Sequence, residues 1–544
     1  MLNLIFFTTN KIKLAHVRHI ADNYMVAIES FRRKTFYASY TEPRIDSRDE
    51  LLHQSYESAL EQARNAGINT GKTFFFLEDT SVIIDALSTE FKEIPGVNVK
   101  YWMKETKFKD LDETLTQASN RNVTVRSDFL LHIPEYYRQK WGIKDNYLVF
   151  VGKQLGTVIE SERNFEQNLV YPWLDNKTFN KWFVPCGESQ PLSCLSIIDA
   201  DQYDFRRHAF SEMMEFFSQK GILGSSFEQQ FLALETTSQV SIPILIICGY
   251  PCAGKTTLSQ HLVRKYGYIH IEASDFMYLN FYLRHDVSSG IRISDFAEDA
   301  LRQKPEIAAE KIGEYINTLG EQPIVISGFR SMDEINWLRK NFENGEIRRS
   351  FKLCYVDATQ SIRFRRYNER KRDGHEIDMA NFQLQDDQQV RMGLQDIASS
   401  SDKIVISNEG TLGKLFREAR SSLQPSEDSL HNSEIDLSIF TNFSKNIGLE
   451  APIIMALLSK WEDREDRPYF TTTQIARLTN ELFPAMKPKH KDNVSRYFNQ
   501  DFYAYYEIAP DPDENKRRYR LSNSGYGRAV SIYYNFVCEE ARQL

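Results

Sequence analysis

The apolar run Ile244-Leu-Ile-Ile-Cys248 passes directly into Gly249-Tyr-Pro-Cys-Ala-Gly254-Lys255-Thr256 and then into a helical pattern from Thr257 to Lys265. A continuous apolar run of this length reads as a buried strand, and the turn after it has the spacing G-x-x-x-x-G-K-[ST]. Strand, loop and helix in that order predict an α/β unit with a parallel sheet. The glycines let backbone amides converge on one concavity, where they and the helix N-terminus receive phosphates. Gly249, Ala253, Gly254, Lys255, Thr256 and Thr257 are the expected nucleotide-binding positions. Lys255 is expected to reach the outer phosphates of ATP and Thr256 to ligate Mg2+. The competing reading, a chance glycine-rich turn, does not account for the strand and helix on either side.

The chain has 544 residues, which predicts about three cores at roughly 100 to 200 residues each. Polar, serine-rich stretches without apolar periodicity, 235–241 and 421–433, mark linkers and divide the chain into blocks 1–230, 241–422 and 436–544. No repeat with a period of 20 to 50 residues is present. A net charge of -8 gives no global attraction to nucleic acid or to an anionic membrane. No apolar run approaches the about 20 residues needed to span a bilayer. The first residues lack the basic segment and long apolar core of a signal peptide, so a cytoplasmic location is expected. The 6 cysteines form no C-x-x-C pair and read as incidental or buried thiols.

In the middle block, Ile269-His-Ile-Glu-Ala273 reads as a second strand ending at Ser274-Asp275, and Pro323-Ile-Val-Ile-Ser327-Gly328-Phe329-Arg330 as a third. Phe351 to Asp357 is a further strand, followed by Arg363, Arg365, Arg366, Arg370, Lys371 and Arg372; Ser401 to Gly410 closes the block. With the phosphate-binding loop (P-loop), this order resembles the nucleoside monophosphate kinase and dephospho-coenzyme A kinase group. The resemblance implies that Asp275 and Arg330 face the acceptor, that Arg366 and Arg370 clamp the transferring phosphoryl from a lid, and that Asn408 borders the adenine. An arginine fork suits a charge-dispersed phosphoryl group; the bland reading of the same run is a solvated basic helix face. The family's strand-end aspartate is replaced by Ser327, which leaves Mg2+ to Thr256, phosphates and water, or to a contribution from Asp275.

In the first block, Leu4-Ile-Phe-Phe7 runs into Thr8-Thr-Asn10-Lys-Ile-Lys13, and Glu78-Asp79-Thr80, Pro95-Gly96 and Tyr147 to Thr157 follow in order. These segments resemble the inosine triphosphate pyrophosphatase family, which releases pyrophosphate from noncanonical purine nucleotides such as ITP, dITP and XTP. The resemblance implies that Glu42, Glu78 and Asp79 hold Mg2+, that Asp79 also activates water, and that Thr8, Asn10, Lys13 and Arg206 hold phosphates, within a fold that dimerises in relatives. Adjacent carboxylates suit metal-assisted attack by water; their bland reading is a polar strand end. Three departures stand out: Ser58 where a helix lysine is expected, Lys177-Thr-Phe-Asn180 where a base-stacking motif is expected, and Asp204-Phe-Arg206 where the family reads the purine. A site that loses its base-directed donors loses selectivity.

In the last block, Ala451 to Trp461 reads as an amphipathic helix, Thr471 as the cap of a second helix and Lys489 to Phe498 as a third. Tyr505 to Ile508 and Arg518 to Ser522 make a hairpin, and the whole resembles a winged helix. Lys489, Lys491 and Arg496 on the third helix and Arg517 and Arg518 on the hairpin suit phosphate-backbone contacts, but such modules also dock proteins, so DNA and protein partners both stay open. The expected fold class is α/β multidomain: a pyrophosphatase-like α/β domain, a P-loop kinase with a parallel sheet, and a C-terminal winged helix. The expected function is Mg2+-dependent, ATP-driven phosphorylation of a nucleotide acceptor, beside a noncanonical NTP pyrophosphatase-like domain of altered base selectivity. The second reading is a nucleotide-sensing regulator, in anti-phage defence or transcription, whose first domain binds NTPs without cutting them.

Overall fold

The computed structural model describes residues 2–24, 26–31, 45, 47–90, 92–223, 243–286, 289–319, 322–343, 349–370, 377–425, 435–442, 448–461, 467–498, 504–511 and 514–541. The chain divides into two compact units, Met1–Ala233 and Leu234–Leu544. The second unit holds both the P-loop block and the C-terminal block. No helix among the described residues is long and apolar enough to cross a membrane.

The first unit runs β1 (Leu2–Phe6), α1 (Lys11–Ala21), β2 (Val26–Ser30), α2 (Arg48–Asn65), β3 (Phe75–Ile84), β4 (Pro95–Gly96), α3 (Val99–Glu105), α4 (Phe108–Ala118), β5 (Asn122–His132), α5 (Glu135–Trp141), β6 (Tyr147–Val158), β7 (Phe183–Pro185), α6 (Ile197–Gln202) and α7 (Phe205–Gln219). Its sheet has the order β2-β1-β3-β5-β6-β7, with β4 beside β3. The β1 pairings are parallel and the rest antiparallel. Alternation along β3 and β5 sends Phe76, Phe129 and Leu131 into a core with Val17, Phe210 and Phe217 of α1 and α7. Phe75, Leu77 and Leu130 go to the opposite core, against Leu52, Tyr56 and Ala59 of α2. Two-sided burial explains why Phe74 to Leu77 and Phe129 to Leu131 are continuously apolar.

The second unit begins with β8 (Ile244–Cys248), α8 (Lys255–Tyr266), β9 (Ile269–Glu272), α9 (Ala273–Arg284), α10 (Ile293–Gln303), α11 (Ile307–Leu319), β10 (Ile324–Ser327), α12 (Met332–Glu343), β11 (Phe351–Asp357), α13 (Gln360–Arg370), α14 (Met379–Arg391), α15 (Leu394–Ser399), β12 (Ile404–Ser407) and α16 (Leu412–Leu423). All five strands are parallel, in the order β12-β11-β8-β10-β9. Central β8 is fully buried along its length, which places the P-loop at the middle of the sheet's carboxyl edge, where open α/β sheets bind ligands.

The unit continues with α17 (Glu450–Leu458), β13 (Phe470–Thr471), α18 (Thr472–Leu482), α19 (Lys491–Phe498), β14 (Tyr506–Asp511), β15 (Glu514–Leu521) and α20 (Asn523–Ala541). The strands form an antiparallel sheet ordered β13-β15-β14. Thr471 caps α18 in a reciprocal capping box with Gln474, as its sequence position predicts. The amphipathic reading of Ala451 to Trp461 is corrected: every residue from Pro452 to Leu458 is buried, so α17 is a central helix, not a surface one. Lys489 lies before α19, with its backbone N–H donated to Asn480 Oδ1 at 2.7 Å.

The last helix, α20, seats on β9. A Cβ on Gly527 would lie 2.9 Å from the carbonyl oxygen and 3.0 Å from the nitrogen of His270, closer than a side chain tolerates. On the same helix, the Tyr526 hydroxyl accepts from Arg264 Nε of α8 at 2.8 Å.

Candidate functional sites

In the second unit, Gly249 and Gly254 adopt φ of 144° and 106°, and α8 starts at Lys255 with Gly254 as its cap. Lys255 Nζ lies across the mouth of the loop and donates to the carbonyls of Gly249 and Tyr250, both at 2.9 Å. Asn408 braces the loop from behind: its Nδ2 donates to the Ala253 carbonyl at 2.7 Å. Arg366 Nη2 donates to the Asn408 carbonyl at 2.8 Å, and its Nη1 reaches the Cys252 carbonyl at 3.4 Å. Arg366 and Asn408 thus meet behind the loop, where both bond its backbone carbonyls. Arg363 has a different place. It is 4% exposed, pairs with both oxygens of Asp386 at 2.8 and 2.7 Å and stacks on Tyr250, so it locks α13 to α14. The Arg370 side chain and residues 371 and 372 lie outside the described parts.

Beside Thr256 stands an acid that the sequence reading passed over. Glu272, the last residue of β9, brings Oε2 to 3.4 Å from Thr256 Oγ1 and accepts from Ser327 Oγ at 2.7 Å. The position where the family carries a strand-end aspartate is therefore occupied by a hydroxyl that points at a carboxylate from the neighbouring strand. Gly328, at φ 92°, makes room for it: a Cβ there would lie 2.2 Å from Glu272 Oε1. Behind Ser327, His270 Nε2 approaches its Oγ at 2.6 Å. Burial lowers the pKa of His270 to about 4 against the opposing pull of Glu272, so the ring is neutral near pH 7. The signal for Glu272 is an acid closing a short apolar strand, which ends one residue earlier than the expected Ala273.

Asp275 falls in the first turn of α9 and is 8% exposed. Its Oδ2 accepts the backbone N–H of Ser524 at 2.9 Å, while Ser524 Oγ accepts the backbone N–H of Glu272, also at 2.9 Å. Burial, with Glu272 nearby, raises the Asp275 pKa well above the ordinary carboxylate range. Asp275 therefore sits beneath α20. At Arg330, the backbone N–H donates to Glu334 Oε2 at 2.9 Å, and Nη1 reaches Met392 Sδ at 3.7 Å. Burial raises Glu334 to about 7 despite the N–H groups of Arg330 and Ser331.

In the first unit, Asn10 caps α1 by accepting from Ile12 and Lys13 N–H at 2.9 and 3.2 Å, and Thr8 Oγ1 accepts from Asn10 N–H at 3.1 Å. Lys13 Nζ lies 3.2 Å from Glu78 Oε2 and 3.9 Å from Asp79 Oδ1. Glu78 Oε1 accepts from Thr80 Oγ1 at 2.7 Å, Ser127 Oγ at 2.8 Å and Arg206 Nε at 3.0 Å. Arg206 also donates to Thr80 Oγ1 at 2.7 Å and approaches His16 Nδ1 at 3.2 Å. Burial would raise the Glu78 pKa, but Arg206 and Lys13 outweigh it and hold the carboxyl well below its usual range. His16 in turn bonds Asp204 Oδ2 at 2.8 Å and stacks flat on Trp173, with ring centroids 4.5 Å apart.

Glu78 and Asp79 both line a small cavity of about 50 Å³, with Thr8, Ser55, Asn98 and Tyr101 on its walls. From α2, Leu51, Leu52 and Ser55 line this cavity, whereas Ser58 accepts from Gln62 one turn on. Glu42 lies outside the described residues.

On the C-terminal helices, Lys491 and Arg496 are exposed. On the hairpin, Arg517 pairs with Asp286 at 3.3 Å. Its neighbour Arg520 donates to Glu507 Oε2 at 2.8 Å and to the Arg467 carbonyl at 2.7 Å. Part of the basic hairpin is thus bound to the unit's own acceptors. Among the described residues, no cluster of three or more His, Cys, Asp or Glu side chains is placed to hold a metal alone.

These two sites define a chain that joins a Ham1-like, NTP pyrophosphatase-type domain to a P-loop kinase-like domain. Residues 4–216 match the Ham1 family and residues 245–390 match a family described as an AAA domain. The UPF0200 protein of Methanothermobacter thermautotrophicus is 26% identical over 189 residues, which is 34% of this chain and 91% of the relative. Among solved structures, a HAM1 protein from Coxiella burnetii aligns with a TM-score of 0.31 at 15% identity, over 40% of this chain and 100% of that one. A gluconokinase from Sinorhizobium meliloti aligns with a TM-score of 0.26 at 20% identity, over 34% of this chain and 94% of that one.

Proposed function

We propose that the second unit transfers the γ-phosphoryl group of ATP to a small acceptor of the nucleoside monophosphate type. The observation that carries this reading is the meeting of Lys255, Thr256 and Glu272 at the carboxyl edge of β8 and β9. Thr256 Oγ1 and Glu272 Oε2, 3.4 Å apart, are hard oxygen donors suited to Mg2+ and its water shell. Mg2+ held there would neutralise the charge that develops on the phosphates during transfer. The backbone amides of the loop orient the triphosphate, Lys255 swings from its carbonyl partners to the transferred group, and Arg366 with Asn408 keeps the loop in shape. An acceptor oxygen forms a bond to the γ-phosphorus as the bond to the bridging oxygen breaks, and ADP leaves with the electron pair. A phosphate monoester acceptor is largely deprotonated at neutral pH, with a second pKa of about 6, so transfer needs positioning and charge rather than a strong base. That suits a site in which Asp275 is engaged by α20.

The first unit acts in this scheme on a noncanonical NTP, with Asp79 as the cavity-lining carboxylate that activates water and Thr8, Asn10 and Lys13 on the phosphate side. A sensing role has its own support: both Glu78 oxygens face protein cations, and Arg206 is committed to Glu78, Thr80 and His16. The C-terminal helices and hairpin are proposed as a winged helix that carries the state of the unit to DNA or a protein through the exposed Lys491 and Arg496.

Incubation of the full chain with ATP, Mg2+ and a pooled nucleotide library, with product detection by mass spectrometry, tests the kinase reading. A phosphorylated nucleotide that disappears in Lys255→Ala and Glu272→Gln is expected; ATP consumption with no phosphorylated product overturns it. Turnover of dITP lost in Asp79→Asn separates hydrolysis from sensing.

A further inference from the structure

His270, Ser327 and Glu272 form a buried chain of polar groups ending at the nucleotide site. His270 and Ser327 are 0% exposed and Glu272 is 7% exposed. The links are 2.6 Å from His270 Nε2 to Ser327 Oγ and 2.7 Å from Ser327 Oγ to Glu272 Oε2. A carboxylate accepts and does not donate, so the serine hydrogen goes to Glu272 and the serine lone pair faces the imidazole. His270 Nδ1 is buried and makes no hydrogen bond. A buried lone pair without a donor is tolerated better than a buried N–H without an acceptor, so the ring proton sits on Nε2. The direction of the chain is then fixed: His270 donates to Ser327, and Ser327 donates to Glu272. Successive donation of this kind polarises each bond by the one before it.

Charge accounts for the choice of residue. An aspartate at position 327 would bring a second carboxylate against Glu272, and two like charges at that spacing oppose each other's ionisation. Serine leaves one negative charge at the strand ends and uses its hydroxyl to aim it. Gly328 and the Ser524 contact to the Glu272 backbone fix the same residue from other sides.

We infer that Ser327 and His270 are positioning residues that hold the Glu272 carboxylate on Thr256, so that one acid from β9 does the work of the strand-end aspartate absent from β10. This rests on the reading of Glu272 as the acid that serves MgATP.

The test measures ATP affinity of the full chain by fluorescent-nucleotide titration with and without Mg2+ in wild type and in Glu272→Gln, Ser327→Ala, His270→Leu and His270→Gln. Glu272→Gln is expected to abolish the Mg2+-dependent gain in affinity. Ser327→Ala is expected to reduce that gain by about tenfold, the loss of one hydrogen bond to a charged group, and His270→Leu by severalfold, the loss of the neutral bond that orients Ser327, with metal-free affinity retained as the check on folding. His270→Gln, which keeps an amide donor near Nε2, is expected to restore most of it. A full Mg2+-dependent gain in Glu272→Gln overturns the underlying assignment of Glu272. Loss in Glu272→Gln with full gain in both His270→Leu and Ser327→Ala overturns the positioning role alone. If Ser327→Ala fails to fold, the His270 pair decides: equal gains in His270→Leu and His270→Gln overturn the inference.

Discussion

Asp275 and Ser524, 249 residues apart in sequence, are joined by a 2.9 Å hydrogen bond from the Ser524 backbone N–H to the Asp275 carboxylate. The bond ties the first turn of α9 to the first turn of α20. Because Asp275 is buried, its removal leaves an amide without an acceptor, which costs about 1–3 kcal/mol. Asp275→Ala is therefore expected to lower stability by that amount in chemical denaturation and to speed hydrogen exchange across 523–534. Asp275→Asn keeps an acceptor oxygen and is expected to retain both the docked helix and phosphoryl transfer; loss of transfer with an intact fold would return Asp275 to the acceptor side.

Lys255→Ala removes the cation that reaches the outer phosphates. Loss of a single preorganised charge-stabilising donor costs roughly 10²–10³-fold in turnover, and a loss of that order in kcat is expected while circular dichroism stays unchanged.

Arg206 neutralises Glu78 inside the first unit. Arg206→Leu strands a buried carboxylate, and breaking such a pair costs about 3–5 kcal/mol, which a drop in thermal midpoint for the first unit would record. Arg206→Leu combined with Glu78→Gln removes the stranded charge, and partial recovery of the midpoint is expected. No recovery would mean that Arg206 stabilises the unit mainly through Thr80, His16 and packing on Phe205.

Glu334 gives the second unit a pH dependence of definite sign. Burial raises its folded pKa to about 7 from an ordinary value of 4.5, so the folded state holds the proton more tightly than the unfolded one. Its contribution is fully present below pH 4.5 and is lost as pH rises toward 7. The amount is on the order of 3 kcal/mol, at 1.36 kcal/mol per unit. Denaturation midpoints between pH 5 and 8 are expected to fall less steeply in Glu334→Gln than in wild type.

Much of the sheet at the nucleotide site was legible because its signals are local. An apolar run before a glycine-rich turn, or a threonine three residues before a glutamine, forces its outcome within one element, and β8, α8 and the Thr471 cap followed. What was not legible is held by contacts between distant residues. Glu272 lies beside Thr256 only because β10 places Ser327 and Gly328 between β8 and β9. Arg206 and Glu78 each read as a ligand-facing group, and nothing in their spacing says that they satisfy one another. Asp275 has the composition of a catalytic acid and the position of a clamp, a distinction that only the packing of α20 makes.

That packing has one more consequence. A strand at the end of a parallel sheet offers a row of unused backbone donors and acceptors to any other chain. β9 is such a strand, and α20 lies against it, with Ser524 taking the amide of Glu272 and Gly527 drawing the helix close. The C-terminal block thus shields the sheet from self-association as well as extending the unit. A polypeptide ending near residue 422 would carry every residue of the proposed kinase site and an uncovered edge, and its characteristic fault would be aggregation before any loss of chemistry.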